Sequence, residues 1–195
     1  MLREVLRHRQ IAHVTQVEID QQVIDMCCTY LPSHSDGAFD DPRVTIVIDD
    51  GLHFVQSTRE TFDVIISDST DPIGPGEALF KEAFYTGCKR CLTPGGVLVT
   101  QNGVAFMQLQ EVETTARRLS RVFDDAYFYT AAVPTYIGGI MTFAWATDNL
   151  TLRHADIGAL RRRYAASGIK TRYYTPEIHR AAFALPRYVL EVIGK

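Results

Sequence analysis

The chain has 195 residues, 46% of them hydrophobic and 22% charged, with a formal net charge of −3. That balance excludes a disordered or fibrous protein and offers no basic footprint for a phosphate backbone, so nucleic acid is not an expected partner. No apolar run approaches the roughly 20 residues that cross a bilayer, and the opening MLREVLRHRQ is charged and amphipathic without a signal-peptide core, so the expected location is the cytoplasm.

Along the chain, short β-branched runs alternate with longer amphipathic ones. HVTQVEI (13–19) reads as a strand, DQQVIDMCCTYL (20–31) as a helix, RVTIVI (43–48) as a strand and GLHFVQS (51–57) as a short helix. FDVIIS (62–67) and GVLVTQ (96–101) continue the strands, with helical spacing in EALFKEAFYTGCKRCL (77–92) and MQLQEVETTARRLSRVF (107–123). The strand runs are too uniformly apolar for a wet face, which predicts a parallel sheet covered on both sides by crossover helices. Thr93, Pro94, Gly95 and Gly96 are expected to end the helix that contains CKRC. DAYFYTAAV (125–133) and GIMTFAWAT (139–147) suit an antiparallel pair, and ADIGALRRRYAAS (155–167) and LPRYVLEVIGK (185–195) add helices. With no repeat or linker, residues 1–195 form one expected α/β domain.

Cys27 and Cys28 are adjacent and cannot easily bond each other, and Cys88 and Cys91 share a helical face. Core packing is the expected role of the second pair, ahead of zinc or redox chemistry. His13, His34, His53, His154 and His179 show no metal-ligand spacing, so no metal is expected.

Ligands of open parallel sheets bind beyond the carboxyl ends of the strands. Acidic and amide side chains fall there in register: Glu18 and Asp20, Asp49 and Asp50, Asp68 and Asp71, then Gln101 and Asn102. Asp20 and Asp50 also read as helix N-caps, and Gln101 equally as the polar end of a buried strand. Glu18 precedes its cap, where a carboxylate can accept both hydroxyls of a ribose. In DSTDPIGP (68–75), Asp71 before proline is an ordinary turn signal, yet Asp68 directly follows an apolar run and Pro72 and Pro75 restrict the loop. Preorganised paired carboxylates suit a cationic substrate, and diamines qualify.

These stretches carry a resemblance. VEID (17–20), DDG (49–51), FDVIISDSTDPIGPGEALF (62–80), CKRCLTPGG (88–96), QNG (101–103), PTYIGGIMTFAWAT (134–147) and RYYTPEIHRAAFALP (172–186) resemble the spermidine synthases, polyamine aminopropyltransferases of enteric-bacterial type. The resemblance implies a Rossmann-like, methyltransferase-type fold and transfer of the aminopropyl group of decarboxylated S-adenosylmethionine, a co-substrate rather than a resident cofactor, to putrescine. It implies that Glu18 holds the ribose, that Asp50 and Gly51 meet the adenine with Pro75 flanking it, and that Asp68 accepts the proton of the attacking amine. Asp71 would bind the distal amine, and Gln101 and Tyr136 would line the polyamine groove. Family members carry an N-terminal β-rich domain, a first strand and a glycine-rich loop ahead of the helix that MLREVLRHR resembles. The strands at 14–19 and 62–67 are therefore expected to lose a common neighbour, and the activity of these 195 residues alone is in question. A homodimer is compatible with the resemblance. The alternatives are an inactive nucleoside-binding or structural fragment, another polyamine synthase, or an N-methyltransferase.

Overall fold

The computed structural model describes every residue except Pro75. In chain order its regular elements begin with α1 (Leu2–Leu6), β1 (Val14–Glu18), α2 (Gln21–Tyr30), α3 (Pro32–Ser35), β2 (Val44–Ile48) and α4 (Gly51–Ser57). They continue with β3 (Phe62–Ser67), α5 (Glu82–Cys91), β4 (Leu92–Gln101), α6 (Leu109–Leu119), β5 (Asp125–Ala132) and β6 (Ile140–Thr147). The chain finishes with α7 (Ile157–Ser167), α8 (Pro176–Ala182) and α9 (Arg187–Val192). Caps fix several starts: Asp20 accepts from the Gln22 amide at 2.8 Å, Asp156 from Ala159 at 2.7 Å and Thr175 from Ile178 at 3.0 Å.

The strands form two ladders. β1 and β2 pair in parallel from Val14 opposite Val44 to Glu18 opposite Ile48. The second has the order β3, β4, β6, β5, with β3 parallel to β4 and both contacts of β6 antiparallel. Among the described residues no ladder joins β1 to β3, so each keeps an open edge, as the resemblance implied.

Two expectations need correction. β3 does have a wet face: Val64 is 53% and Ile66 41% exposed, while Ile65 on the other face packs into the core. The reason lies in what covers each face. α5 and α6 bring Tyr85, Cys88, Val112 and Leu119 onto the side shared by Leu98 and Phe128. Among the described residues the opposite side is capped near β5 and β6, where the Phe183 ring centre lies 5.6 Å from those of both Tyr129 and Trp145, and this cover leaves Val64 and Ile66 of β3 exposed. The second correction concerns the end of α5. The helix stops at Cys91 and Leu92 is already extended, paired with Phe62, before the register slips between Phe62 and Val64. Gly95, at φ +78, turns the backbone inside this irregular strand start, and does not end the helix.

Cys88 and Cys91 are buried, as expected of core packing. Next to them, α4 lies tightly on α5: a Cβ at Gly87 would sit 2.6 Å from Val55 Cγ2 and 3.3 Å from the Val55 carbonyl. Gly87→Ala is expected to push the helices apart at a cost of about 1–3 kcal/mol, read as a lower midpoint in urea unfolding with an unchanged slope. Ile66→Lys, on the open edge of β3, is expected to change stability by less than about 0.5 kcal/mol while raising the temperature at which light scattering reports aggregation.

Candidate active site at the carboxyl edge

The strand ends arrive flush. The Asp49 amide donates to the Glu18 carbonyl at 3.0 Å, which sets the ends of β1 and β2 side by side. Glu18 is half-buried and its Oε1 accepts from the Asp20 amide at 3.1 Å, leaving Oε2 directed to neither backbone. Asp50 caps α4, and both bonds, from Leu52 at 2.8 Å and His53 at 3.1 Å, go to Oδ1. Its second oxygen is spared by the cap. Asp49 is committed otherwise: His53 Nδ1 lies 2.8 Å away, and that bond holds its carboxyl below the usual range. Gly51 lets the following 3₁₀ segment Gly74–Phe80 approach, since a Cβ there would meet Leu79 Cδ2 at 3.1 Å.

On the second ladder, Ser67 is buried and Asp68 is the first exposed residue beyond β3. Asp71 is also exposed, and its carbonyl accepts from the Ile73 amide at 2.6 Å and the Thr70 hydroxyl at 3.3 Å. The loop is folded tightly on itself, because a Cβ at Gly76 would fall 2.6 Å from Thr70 Oγ1. Pro75 lies outside the described residues. Gln101 ends β4 half-buried, opposite Phe143. Tyr136, 48% exposed, sits in the β5–β6 turn, its amide donating to Val133 at 3.1 Å and its carbonyl accepting from Gly139 at 3.0 Å.

Two residues of this edge were given no role from sequence. Asn102 is fully buried, with Oδ1 accepting from Thr100 Oγ1 at 3.0 Å and Nδ2 donating to Thr115 Oγ1 at 2.8 Å. Glu111, in the first turn of α6, is half-buried, and its carboxyl is pushed up to about 7. Burial is the main cause and the negative charge of Asp71 adds to it, while a hydrogen bond from Asn102 opposes both. An acid in the first turn of a helix reads as a dipole partner in any sequence, so only the packing reveals it.

A hollow of about 470 Å³ lies at the other end of the first ladder, lined by Arg3, Arg7, Asp41 and Arg43 among others. Arg43 precedes β2, so this hollow is at the amino end of the strands, and its cations are already paired with Glu4 and Asp41. Among the described residues no group of three His, Cys, Asp or Glu is placed to hold a metal ion.

Two parallel strand pairs with crossover helices, an antiparallel end at β5 and β6, and an acidic carboxyl edge define a Rossmann-like α/β protein of the methyltransferase kind. Residues 1–155 match the spermine/spermidine synthase domain, and the chain belongs to that family. It is 62% identical over 195 residues to polyamine aminopropyltransferase 1 of Pseudomonas aeruginosa, covering all of this chain and 68% of that protein. The polyamine aminopropyltransferase of Escherichia coli K12 is 59% identical over 194 residues, with 67% of its length covered. A solved spermidine synthase in complex with the transition-state analogue AdoDATO superposes with a TM-score of 0.90 at 35% identity, over 99% of this chain and 65% of that one. The chain thus spans about two thirds of the length of these proteins.

The raised carboxyl of Glu111 has a consequence for stability. The folded chain keeps a proton that the unfolded chain releases between the ordinary value of 4.5 and about 7, so stability falls as pH rises through that window. Glu111→Gln has nothing to ionise. It is expected to match the parent at pH 4.5 and to melt about 2–4 °C higher at pH 8, on a scale of roughly 1 kcal/mol after allowance for solvent screening.

Proposed function

We propose that this chain carries the catalytic domain of a polyamine aminopropyltransferase of spermidine synthase type, in which decarboxylated S-adenosylmethionine and putrescine give spermidine and methylthioadenosine. The observation that supports it most is the position of DSTDPIGP: one carboxylate at the exposed end of β3 and a second on a tight turn beside it, in a chain 62% identical to a named aminopropyltransferase.

In this reading the nucleoside lies over the first ladder. Glu18 accepts from the ribose hydroxyls, and the Asp50 oxygen spared by the helix cap accepts from the adenine amino group beside Gly51 and Pro75. The diamine lies over the second ladder, its distal ammonium on Asp71, with Gln101 and Tyr136 along its length. An alkylammonium with a pKa of about 10 has no free electron pair at neutral pH, so Asp68 takes a proton from the near nitrogen. That nitrogen attacks the methylene beside the sulfonium. The carbon–sulfur bond breaks with its electrons going to sulfur, and a neutral thioether leaves without help from an acid. Two cations are brought together, so fixed carboxylates that offset their repulsion supply much of the acceleration. Decarboxylated S-adenosylmethionine is consumed as co-substrate, and no resident cofactor is invoked. The same reading places the protein in the cytoplasm as a homodimer with no role on nucleic acid, in keeping with its net charge of −3.

Incubation with putrescine and decarboxylated S-adenosylmethionine, followed by mass spectrometry, tests the assignment. Equal amounts of spermidine and methylthioadenosine are expected, and Asp68→Asn should lower kcat by about a thousandfold with methylthioadenosine affinity retained. Methylation of an amine with intact S-adenosylmethionine, or nucleoside binding without any product, would replace the reading by an N-methyltransferase or an inactive fragment.

A further inference from the structure

We propose that His53 is a positioning residue for base recognition: its ring occupies the Asp49 carboxylate and so leaves Asp50 as the acceptor for the adenine amino group. The inference rests on the aminopropyltransferase reading, which lays the nucleoside over the first ladder.

Two aspartates follow β2 in succession, and by residue type either could take an amino group. The start of α4 separates them, because His53 bonds each through a different group. Its backbone amide donates to Asp50 Oδ1 at 3.1 Å, beside the 2.8 Å bond from the Leu52 amide, so the cap sits on one oxygen and spares Oδ2. Its ring Nδ1 lies 2.8 Å from Asp49 Oδ2 and 3.0 Å from Asp49 Oδ1. A carboxylate accepts and does not donate, so Nδ1 carries the hydrogen of this bond. Asp49 Oδ1 also accepts from the Asp50 amide at 2.8 Å. Both oxygens of Asp49 are thus engaged, and the same carboxylate fixes the backbone from which the Asp50 side chain springs. The Asp49 amide in turn donates to the Glu18 carbonyl at 3.0 Å, which ties the arrangement to the residue read as the ribose acceptor.

This series of bonds begins at the solvent rim. The His53 side chain is 67% exposed and that of Asp49 29%, so the ring can be removed without opening the core. Without it, Asp49 becomes a second acceptor next to Asp50, and neither is held in a single place. The consequence falls on specificity. At the position where adenine carries a donating amino group, hypoxanthine carries an accepting oxygen. A carboxylate held at that position favours the first and repels the second, and a loosely held one discriminates less.

The test is calorimetry of methylthioadenosine and of methylthioinosine binding to the chain. His53→Ala should weaken methylthioadenosine by about threefold, the scale of an exposed hydrogen-bonded ion pair, and leave methylthioinosine unchanged, so that the preference between them narrows by the same factor. In His53→Asn the side-chain amide nitrogen can stand in for Nδ1, and parent affinity and preference should return. In an Asp49→Ala background, His53→Ala should cause no further loss, since its partner is already gone. Unchanged methylthioadenosine affinity in His53→Ala, an equal loss for both nucleosides, a loss that His53→Asn fails to restore, or a further loss in the Asp49→Ala background overturns the role of His53 alone. Failure of the unaltered chain to bind methylthioadenosine overturns the nucleoside reading itself, and this inference with it.

Discussion

The geometry of the site depends on one helix contact. Glu18 and Asp50 stand at the end of the β1–β2 ladder, Asp68 and Gln101 at the end of the β3–β4 pair, and among the described residues no strand hydrogen bond links the two ladders. Their relative placement is carried by α4 resting on α5. Arg90 donates to the Val55 carbonyl at 2.6 Å and Cys91 Sγ approaches it at 3.4 Å, while the missing side chain of Gly87 admits Val55. A protein interior packs as densely as an organic crystal, so such a contact tolerates little displacement. Gly51 extends the same contact toward the site, because its bare α-carbon lets Leu79 settle against the start of α4. Side-chain packing thus takes over a task that backbone pairing usually performs in a parallel sheet.

The amine side of the edge is held by a buried amide. Leaving Asn102 unpaired would cost roughly 1–3 kcal/mol, and the fold answers with Thr100 and Thr115 on its side chain and Thr142 on its backbone. Thr142 Oγ1 also reaches the Asn102 carbonyl at 2.8 Å and the Gly103 carbonyl at 3.0 Å. The chain leaves β4 there in a left-handed turn at Gly103, φ +59, and Gln108 closes the turn by accepting from the Val104 amide at 2.9 Å. The network sets where α6 begins, and so where Glu111 stands.

How much of this was legible in the sequence varies with the kind of signal. The strand at 62–67 and the short helix at 51–57 were read with their observed bounds, because flanking charges and glycine punctuate them locally. The capping role of Asp50 was legible for the same reason. The wet face of β3 was not, since Val64 and Ile66 look the same whether a helix covers them or not, and coverage is a property of the whole topology. The early start of β4 was hidden by Pro94, Gly95 and Gly96, which ordinarily stop an element, whereas here Leu92 pairs before the slip in register. α8 carried a local signal that went unused, a threonine cap followed by Pro176 at the first turn. Glu111 lies ten residues beyond the end of β4 and forty from Asp71, so no spacing rule joins them.

Electrostatics explains why the edge has both exposed and half-buried acids. At about 4 Å, a fully solvated charge pair is worth only about 1 kcal/mol, so Asp68 and Asp71, both exposed, can attract and orient an amine without gripping it. A carboxylate drawn partly out of water interacts more strongly, but an unpaired one would destabilise the empty fold. Glu111 meets that conflict with a proton: burial pushes its carboxyl up to about 7, so the group is largely neutral below neutral pH. Above neutral pH the partly buried carboxyl ionises without a paired cation, and the fold carries that penalty.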